Sequence, residues 1–270
     1  MKSHKVLAPA LAAVSFMVFA CQAVTLQTFK PIRGSGKITS QDRPVSDFDQ
    51  VSLDGIGNLT IVQGDEESLV VEADDNLMEY IVTEVRGRTL HIGIKESMEL
   101  LPSQPIQYQL ALKQIISLTT SGLGRVSAES LNSNELKIEL SGAGDVGLGN
   151  LRVESFALNM SGLGNVSIGS LNGERLAVDM SGAGNCQVNG GQVDNQTIDI
   201  SGAGSYLAPD LQSKVANLHT SGAGKIILWV TDALDVELSG IGNVEYYGTP
   251  TVTQEISGIG SVKGLGDKSQ

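Results

Sequence analysis

The chain of 270 residues is long enough to bury a sizeable core, either as one large domain or as two modest ones. Its 32 glycines, against five Phe, five Tyr and one Trp, suit many tight turns better than a compact α/β enzyme. Thirty acidic and 18 basic residues give a formal net charge of −12, which argues against nucleic-acid or anionic-membrane binding through general electrostatics.

The N-terminus has the pattern of an export signal. Two early lysines precede the apolar run VLAPALAAVSFMVFA (6–20), which is shorter than the roughly 20 residues of a transmembrane helix. We therefore predict a signal peptide over residues 1–20. The sequence VFAC, which ends at Cys21, resembles a bacterial lipobox and predicts lipid attachment to that cysteine. Plain signal-peptidase cleavage after Ala20 or Ala23 is the alternative.

Export would place the protein in the cell envelope, either anchored by lipid to the outer membrane or in the periplasm. The lipid anchor would then be its only contact with the membrane. The other cysteine is Cys186, and one thiol beside a lipidated Cys21 gives neither a disulfide framework nor a cysteine-based metal site. Residues 21–42 are interpreted as a linker.

Residues 43–105 show strand patterns without a fixed spacing. The segment VSLDGIGNLTIVQGD (51–65) is typical of a first coil of a repeat. Residues 69–85 indicate a strand, a short helical turn and a second strand, and TLHIGI (89–94) indicates another strand. We predict that this segment forms irregular first coils with an excursion from them, and no separate fold.

Over residues 106–264 the motif Ser-Gly-x-Gly recurs at spacings of 20, 20, 20, 20, 20, 18 and 18 residues. Its serines are Ser121, Ser141, Ser161, Ser181, Ser201, Ser221, Ser239 and Ser257. A short period sustained over this many copies is typical of a stacked solenoid, with the motif as a structural corner. Residues 265–270 are expected to form a frayed tail.

Apolar and polar residues alternate on both sides of the motif, which predicts strands with one buried face. Before Ser161 the apolar positions are Phe156, Leu158 and Met160, and after it Val166 continues the pattern. One coil of 20 residues cannot bury its own apolar face, so neighbouring coils must pair in parallel. The sequence therefore predicts an all-β fold, a single-chain parallel β-helix with about 18–20 residues per coil. A right-handed path is favoured for parallel crossovers.

The segment SGAGDVGLG (141–149) contains the G-x-G-x-x-G spacing of a dinucleotide-binding loop. Such a loop needs a following helix whose N-terminus receives the pyrophosphate, whereas the residues after Gly147 lead into another strand. We therefore predict no cofactor and interpret the glycines as a tight corner. The residue between them, Ala143 here and Leu123 or Leu163 elsewhere, is expected to point into the core.

The position four residues after each serine is mostly polar and includes Asp145, Asn165 and Asn185. One carboxylate in this column cannot supply the oxygen ligands of a calcium ladder. We therefore predict no metal site and expect polar side chains that hydrogen-bond from coil to coil.

The position two residues before each serine carries five carboxylates. The column is Thr119, Glu139, Asn159, Asp179, Asp199, His219, Glu237 and Glu255. Stacked like charges repel unless cations or basic groups lie between them, so this acidic face is either solvated or binds a cationic ligand. A carboxylate cluster for polysaccharide cleavage is the third alternative. It would also need a basic residue, and the same strands offer only Lys137, so no catalytic residue is predicted.

Three features together resemble the bacterial putative auto-transporter adhesin, head GIN domain family. They are FDQVSLDGIGNLTI, QGDEESLVVEADDNLMEYI and the repeated SGAG motif, and the resemblance covers residues 43–264. It implies an exported parallel β-helical protein, often a lipoprotein, and it supplies no catalytic residues.

The leading hypothesis is a non-enzymatic cell-envelope lipoprotein that acts in surface binding, adhesion or envelope structure. Its ligand, a glycan or a protein, is not identified by the sequence, and nucleic acid is not expected. One alternative is a divergent polysaccharide-active enzyme that uses Asp179, Asp199 and Glu237. The other is an oligomerising scaffold, in which copies of the chain form a homo-oligomer.

Overall fold

The computed structural model describes residues 31–268, and nearly all of their regular structure is β. The exception is one 3₁₀ turn, Met78–Tyr80. No helix in this part of the chain is long and apolar enough to span a membrane. The predicted signal peptide and the predicted lipid-attachment residue Cys21 lie outside the described residues.

The chain forms twenty strands in the described residues. The first ten are β1 (Ile32–Arg33), β2 (Ile38–Arg43), β3 (Gln50–Asp54), β4 (Asn58–Gln63), β5 (Ser68–Asp74), β6 (Ile81–Arg86), β7 (Thr89–Ile94), β8 (Leu100–Leu101), β9 (Gln107–Leu112) and β10 (Ser117–Thr120). The others are β11 (Arg125–Leu140), β12 (Asp145–Met160), β13 (Val166–Met180), β14 (Asn185–Val188), β15 (Gly191–Ile200), β16 (Ser205–Thr220), β17 (Ala223–Leu238), β18 (Ile241–Tyr247), β19 (Thr251–Ile256) and β20 (Ile259–Gly264).

These strands form a parallel β-solenoid of about seven turns, as the sequence predicts. Each long strand bends around the coil, and its alternation of buried and exposed residues breaks at the bends. In β11 the breaks fall at Glu129–Ser130 and at 133–135. Each coil therefore has a pre-corner face that ends at the Ser-Gly-x-Gly corner, a post-corner face that follows it, and a third face that joins the two.

The register between coils follows the repeat length. Leu118 lies opposite Ile138, Ile138 opposite Leu158, and Leu158 opposite Val178, so inward side chains of successive coils stack into one continuous core. Burial of this apolar column supplies the main driving force for coil stacking. The corner motif repeats after 18 instead of 20 residues from Ser221 onward. Two register shifts between β16 and β17, one of them at 208–212, accommodate the shorter coil.

The N-terminal segment folds back over the first coil. β7 pairs in parallel with β3, and β9 with β4, so residues 89–112 stack outside the coil formed by 50–63 although they follow it in sequence. β5 and β6 pair antiparallel with β9 and β7 and cover that end of the core. The excursion predicted from the sequence is therefore an end cap, and the spatial order of its coils is inverted.

The middle residue of the corner motif points outward, so the expectation that it faces the core is wrong. Leu123, Leu163 and Ile241 are 58%, 69% and 61% exposed. At each corner the backbone itself packs on the neighbouring coil, and the Leu163 N–H donates to the Gly142 carbonyl at 3.0 Å. Because the backbone occupies the inner position, the side chain of the middle residue is directed into solvent.

Candidate functional site

The corners form a ladder of serines and glycines along the rod. All eight predicted corner serines lie in the described residues and are exposed. The backbone N–H groups of Ser161 and Gly162 both donate to the Leu140 carbonyl, at 2.9 and 3.2 Å. The Ser121 hydroxyl donates to the Asp54 carboxylate at 2.6 Å in the divergent first corner. These contacts join coils, and within residues 31–268 no corner serine hydrogen-bonds to a histidine.

The outward middle residues of the corners make an apolar stripe that we call the corner ridge. Its members are Ile56, Leu123, Ala143, Leu163, Ala183, Ala203, Ala223, Ile241 and Ile259. All except the half-buried Ile56 are exposed. A contiguous exposed apolar stripe is typical of an interaction surface rather than of an inert one.

The polar column after the corner hydrogen-bonds from coil to coil. The Asn165 side-chain amide donates to Asp145 at 3.1 Å, and the Asn185 amide donates to Asn165 at 3.1 Å. Their backbone N–H groups donate to the same two oxygens. Coil-to-coil hydrogen bonding is therefore the role of this column, as the sequence predicts.

The acidic column forms one ladder on the pre-corner face. Register pairs connect Glu139 to Asn159, Asp179 to Asp199, and His219 to Glu237 along consecutive coils. Glu255 lies opposite Glu237 and closes the series. The five predicted carboxylates thus share one outward column.

Two of these carboxylates have basic partners. A hydrogen bond from Lys137 holds the pKa of Glu139 below its ordinary value, against the opposing effect of partial burial. The His219 Nε2 atom lies 2.9 Å from a Glu237 carboxylate oxygen. The histidine therefore separates Glu237 from Asp199 in the ladder, whereas Asp179 and Asp199 are direct neighbours.

The depression beside this ladder has a volume of about 150 Å³. It is lined by Thr197, Asp199, Asn217, Leu218, His219, Asp235 and Glu237. Its lining contains one basic side chain, His219, and no lysine or arginine. Within residues 31–268 no three His, Cys, Asp or Glu side chains are grouped for a metal ion. Four carboxylates of the ladder are exposed, and Glu139 is half-buried.

A larger concavity lies elsewhere, on the third face near the N-terminal end. This third-face groove has a volume of about 990 Å³. It is lined by Gln63, Lys113, Gln114, Ile116, Asn132, Ser133, Asn134, Glu135, Arg152, Val153, Glu154 and Asn172. The lining is dominated by amides and by charges of both signs, which suit a polar ligand.

Hydrogen bonds fix the wall of the groove. The Gln63 side chain donates to the carbonyls of Lys113 and Asn132 at 3.1 and 2.9 Å and accepts from the Asn132 N–H at 2.7 Å. These three hydrogen bonds join the end of β4 to the connector before β10 and to β11. The backbone at Lys113 and at Asn132, on the wall of the groove, is therefore held in place by Gln63.

This groove is not among the features predicted from the sequence, because the third face carries neither the corner motif nor a strong alternation. A usable signal was present in the 20-residue spacing. Counted from Asn132, that spacing reaches Arg152, Asn172, Gln192 and Gln212. A column of amides with one arginine would have indicated a polar face.

Cys186 and His91 lie apart from these surfaces. Cys186 is buried in the core, where burial raises the pKa of its thiol to about 12. His91 lies in β7 opposite Ser52, in the N-terminal part of the solenoid and far along the rod from His219. Neither contributes to a ligand set.

Comparisons with known proteins agree with this architecture. A family model described as "Putative auto-transporter adhesin, head GIN domain" matches residues 47–250. No curated protein matches the sequence.

Three solved structures share the fold. A putative adhesin from Parabacteroides merdae is 23% identical with a TM-score of 0.80, over 87% of this chain and 98% of its own. A putative lipid binding protein from Parabacteroides distasonis is 27% identical with a TM-score of 0.82, over 87% and 100%. A putative adhesin from the same species is 24% identical with a TM-score of 0.78, over 87% and 100%.

Proposed function

We infer the function from one premise: the chain belongs to the putative auto-transporter adhesin, head GIN domain family. We propose that it is an exported, non-enzymatic binding protein of the bacterial cell envelope. Its solenoid is a rigid support that presents a ligand-binding face away from the membrane. The names of the similar structures, adhesins and a lipid binding protein, all describe binding and support this proposal.

The observation that carries the proposal is the third-face groove. Its volume of about 990 Å³ lies at the upper end of the range typical of ligand sites. It is built on paired strands of three consecutive coils, and such elements hold side chains more firmly than free loops do. A concave, polar wall of this kind is suited to holding a ligand.

Anchoring through a lipid on Cys21 is a separate part of the proposal. It would attach the solenoid through the residues between Cys21 and β1 and leave the groove free for a ligand. The intact mass of membrane-extracted protein should contain the lipid, and Cys21→Ala should release the protein from the membrane fraction. A protein that stays membrane-bound after this substitution, or that carries no lipid, would contradict the anchor.

Binding can be tested with the purified chain and isolated bacterial envelopes, separated into membrane and sacculus fractions. We expect saturable binding to one fraction. Asn172→Trp, which fills the groove from an exposed position, should abolish it, whereas Asp179→Ala on the pre-corner face should not. Binding that Asn172→Trp leaves intact would exclude the groove.

The enzymatic alternative has its own test. The purified chain should show no hydrolase or lyase turnover on a panel of polysaccharides. Turnover that disappears in Asp179→Ala or Asp199→Ala would overturn the non-enzymatic assignment and identify the acidic ladder as the active site.

A further inference from the structure

One column of outward side chains runs along the third face from the groove toward the C-terminal end. Its members are Asn132, Arg152, Asn172, Gln192 and Gln212. Each lies directly opposite the next in register, so neighbours are one strand spacing apart, about 4.8 Å. We call this column the amide ladder, since four of its five members are amides.

The side chains of the amide ladder make few contacts with the described part of the chain. Within residues 31–268 the side chains of Arg152, Gln192 and Gln212 make no hydrogen bond or ion pair with the protein. Asn172 makes one side-chain hydrogen bond, a 3.2 Å contact to the Ser170 hydroxyl. Four members of the column are exposed and Gln212 is half-buried, so the column offers donors and acceptors to solvent or to a ligand.

A second amide column in the same protein shows what a structural ladder looks like. Asn165 and Asn185 have the same 20-residue spacing, but each donates to the side chain of the preceding coil at 3.1 Å. Stacked amides in this solenoid can thus bond to one another when they serve to join coils. The amides of the amide ladder do not bond to one another in this way. We therefore interpret the amide ladder as facing a ligand, and the Asn165–Asn185 column as joining coils.

The chemistry of the ladder selects the class of ligand. An amide both donates and accepts, and a guanidinium presents five donors in a planar fork. A sugar hydroxyl also donates and accepts, so neighbouring hydroxyls match this alternation. A polyanion would need an excess of positive charge, whereas the groove balances Lys113 and Arg152 with Glu135 and Glu154. The ladder therefore fits a neutral ligand.

The ladder ends at two aromatic side chains. Gln212 lies opposite Trp229, and Trp229 lies opposite Tyr247. The Lys268 ammonium lies 5.6 Å from the Trp229 ring centre and 4.8 Å from the Tyr247 ring centre. It also donates to the Pro209 carbonyl at 2.7 Å. The chain itself thus covers the aromatic end, and the open part of the column runs from the groove to Gln212.

We propose that the amide ladder binds a neutral polysaccharide strand lengthwise, with about one sugar unit per coil. The strand spacing is close to the length of one pyranose unit, so a repeating polymer can present the same hydroxyls to each rung. The groove around Asn132 and Arg152 receives one end of the bound segment. This inference rests on the proposed function and names its ligand class.

The test is a binding measurement on an array of neutral and acidic polysaccharides with the full purified chain. We expect retention on at least one neutral polymer, with affinity that rises with chain length up to about five sugar units. The triple variant Arg152→Ala/Gln192→Ala/Gln212→Ala should weaken this binding at least tenfold, because three sets of hydrogen bonds are lost. Asp179→Ala/Asp199→Ala, an equally exposed pair on the pre-corner face, should bind within twofold of the wild type.

Circular dichroism and the thermal unfolding midpoint of both variants show whether they remain folded. A folded triple variant with wild-type affinity would overturn the ladder as the site. Saturable binding to envelopes without binding to any neutral polymer would overturn this inference and leave the proposed function standing. Absence of binding to both would overturn both.

Discussion

At the scale of single residues, the corner glycines determine how closely two coils approach. A Cβ atom placed on Gly162 would lie 1.9 Å from the Gly142 carbonyl oxygen, and one on Gly164 would lie 1.7 Å from the Gly144 oxygen. These contacts are to backbone, which cannot move without separating the coils. The glycines of the motif are therefore required by close approach, whatever their φ angle.

The substitution Gly162→Ala should destabilise the protein by about 3 kcal/mol or more, since overpacking here has no flexible side chain to displace. Leu163→Ala is the matched control. It lies one position away and is exposed, so it should change the free energy of unfolding by less than about 0.5 kcal/mol. Denaturant unfolding of both variants checks this. Equal effects would contradict the steric role of the glycine.

A buried polar pair crosses the core between the pre-corner and post-corner faces of one coil. The Tyr206 hydroxyl donates to the Gln196 Oε1 atom at 2.6 Å, and both side chains are fully buried. Gln196 occupies a position where other coils have Leu136, Phe156 or Leu176. Burial holds the pKa of Tyr206 well above its ordinary value, so the hydroxyl stays protonated as a donor.

The substitution Tyr206→Phe should cost about 1–3 kcal/mol because it leaves the Gln196 oxygen buried without a donor. The double variant Tyr206→Phe/Gln196→Leu should recover most of this loss, since both polar groups are then replaced by apolar ones. A double-mutant cycle by chemical denaturation measures the coupling. Additive losses in the double variant would show that the pair is not coupled.

At the scale of the secondary-structure elements, the N-terminal cap is fastened at the end of β5 by one buried carboxylate. Asp74 accepts from the Ser103 hydroxyl at 2.6 Å, the Ser103 N–H at 2.8 Å and the Gly36 N–H at 2.7 Å. It therefore joins β5 to the segment before β2 and to the segment after β8. Burial alone would raise the pKa of Asp74, but these hydrogen bonds outweigh burial and hold the pKa below its ordinary value.

A carboxyl group with a depressed folded-state pKa stabilises the fold above its unfolded pKa, which is about 3.9. That contribution is lost as the pH falls through the lower folded value. The cap should therefore lose hydrogen-exchange protection below about pH 4, before the regular coils do. Asp74→Asn should destabilise the protein at pH 7, and its difference from the wild type should shrink toward low pH. A constant difference would contradict the linkage.

The sequence predicts those elements whose physical signal is local. Alternation around the corner motif correctly indicates the strands of the pre-corner and post-corner faces, because burial there depends on a period of two. The sequence wrongly predicts that Leu163 points into the core. Its outward direction results from backbone contact between neighbouring coils, and the sequence of one coil does not show that contact. The inverted stacking of β7 and β9 likewise depends on long-range pairing. Arg152 and Gln192 fall on a face without a motif, so only the register identifies their column.

At the scale of the whole molecule, stability is distributed along one axis. Each regular coil contacts mainly its two neighbours, so stability approximates a sum of similar coil and interface terms. The charge is distributed differently, since the carboxylates of the acidic ladder and the amides of the third face lie on separate sides. The acidic ladder and the proposed binding face therefore lie on different sides of the same rod.

This additivity predicts that the solenoid accepts an extra coil. A second copy of residues 161–180 inserted after Met180 would place identical inward residues above one another in the same register. We expect a folded protein whose rod is longer by about one strand spacing, 4.8 Å, in small-angle scattering, with an unfolding midpoint no lower than that of the wild type. A 19-residue insert, residues 161–179, is the control, because a one-residue slip turns the following inward side chains outward. It should lower the midpoint, and equal behaviour of the two inserts would contradict register as the basis of coil stacking.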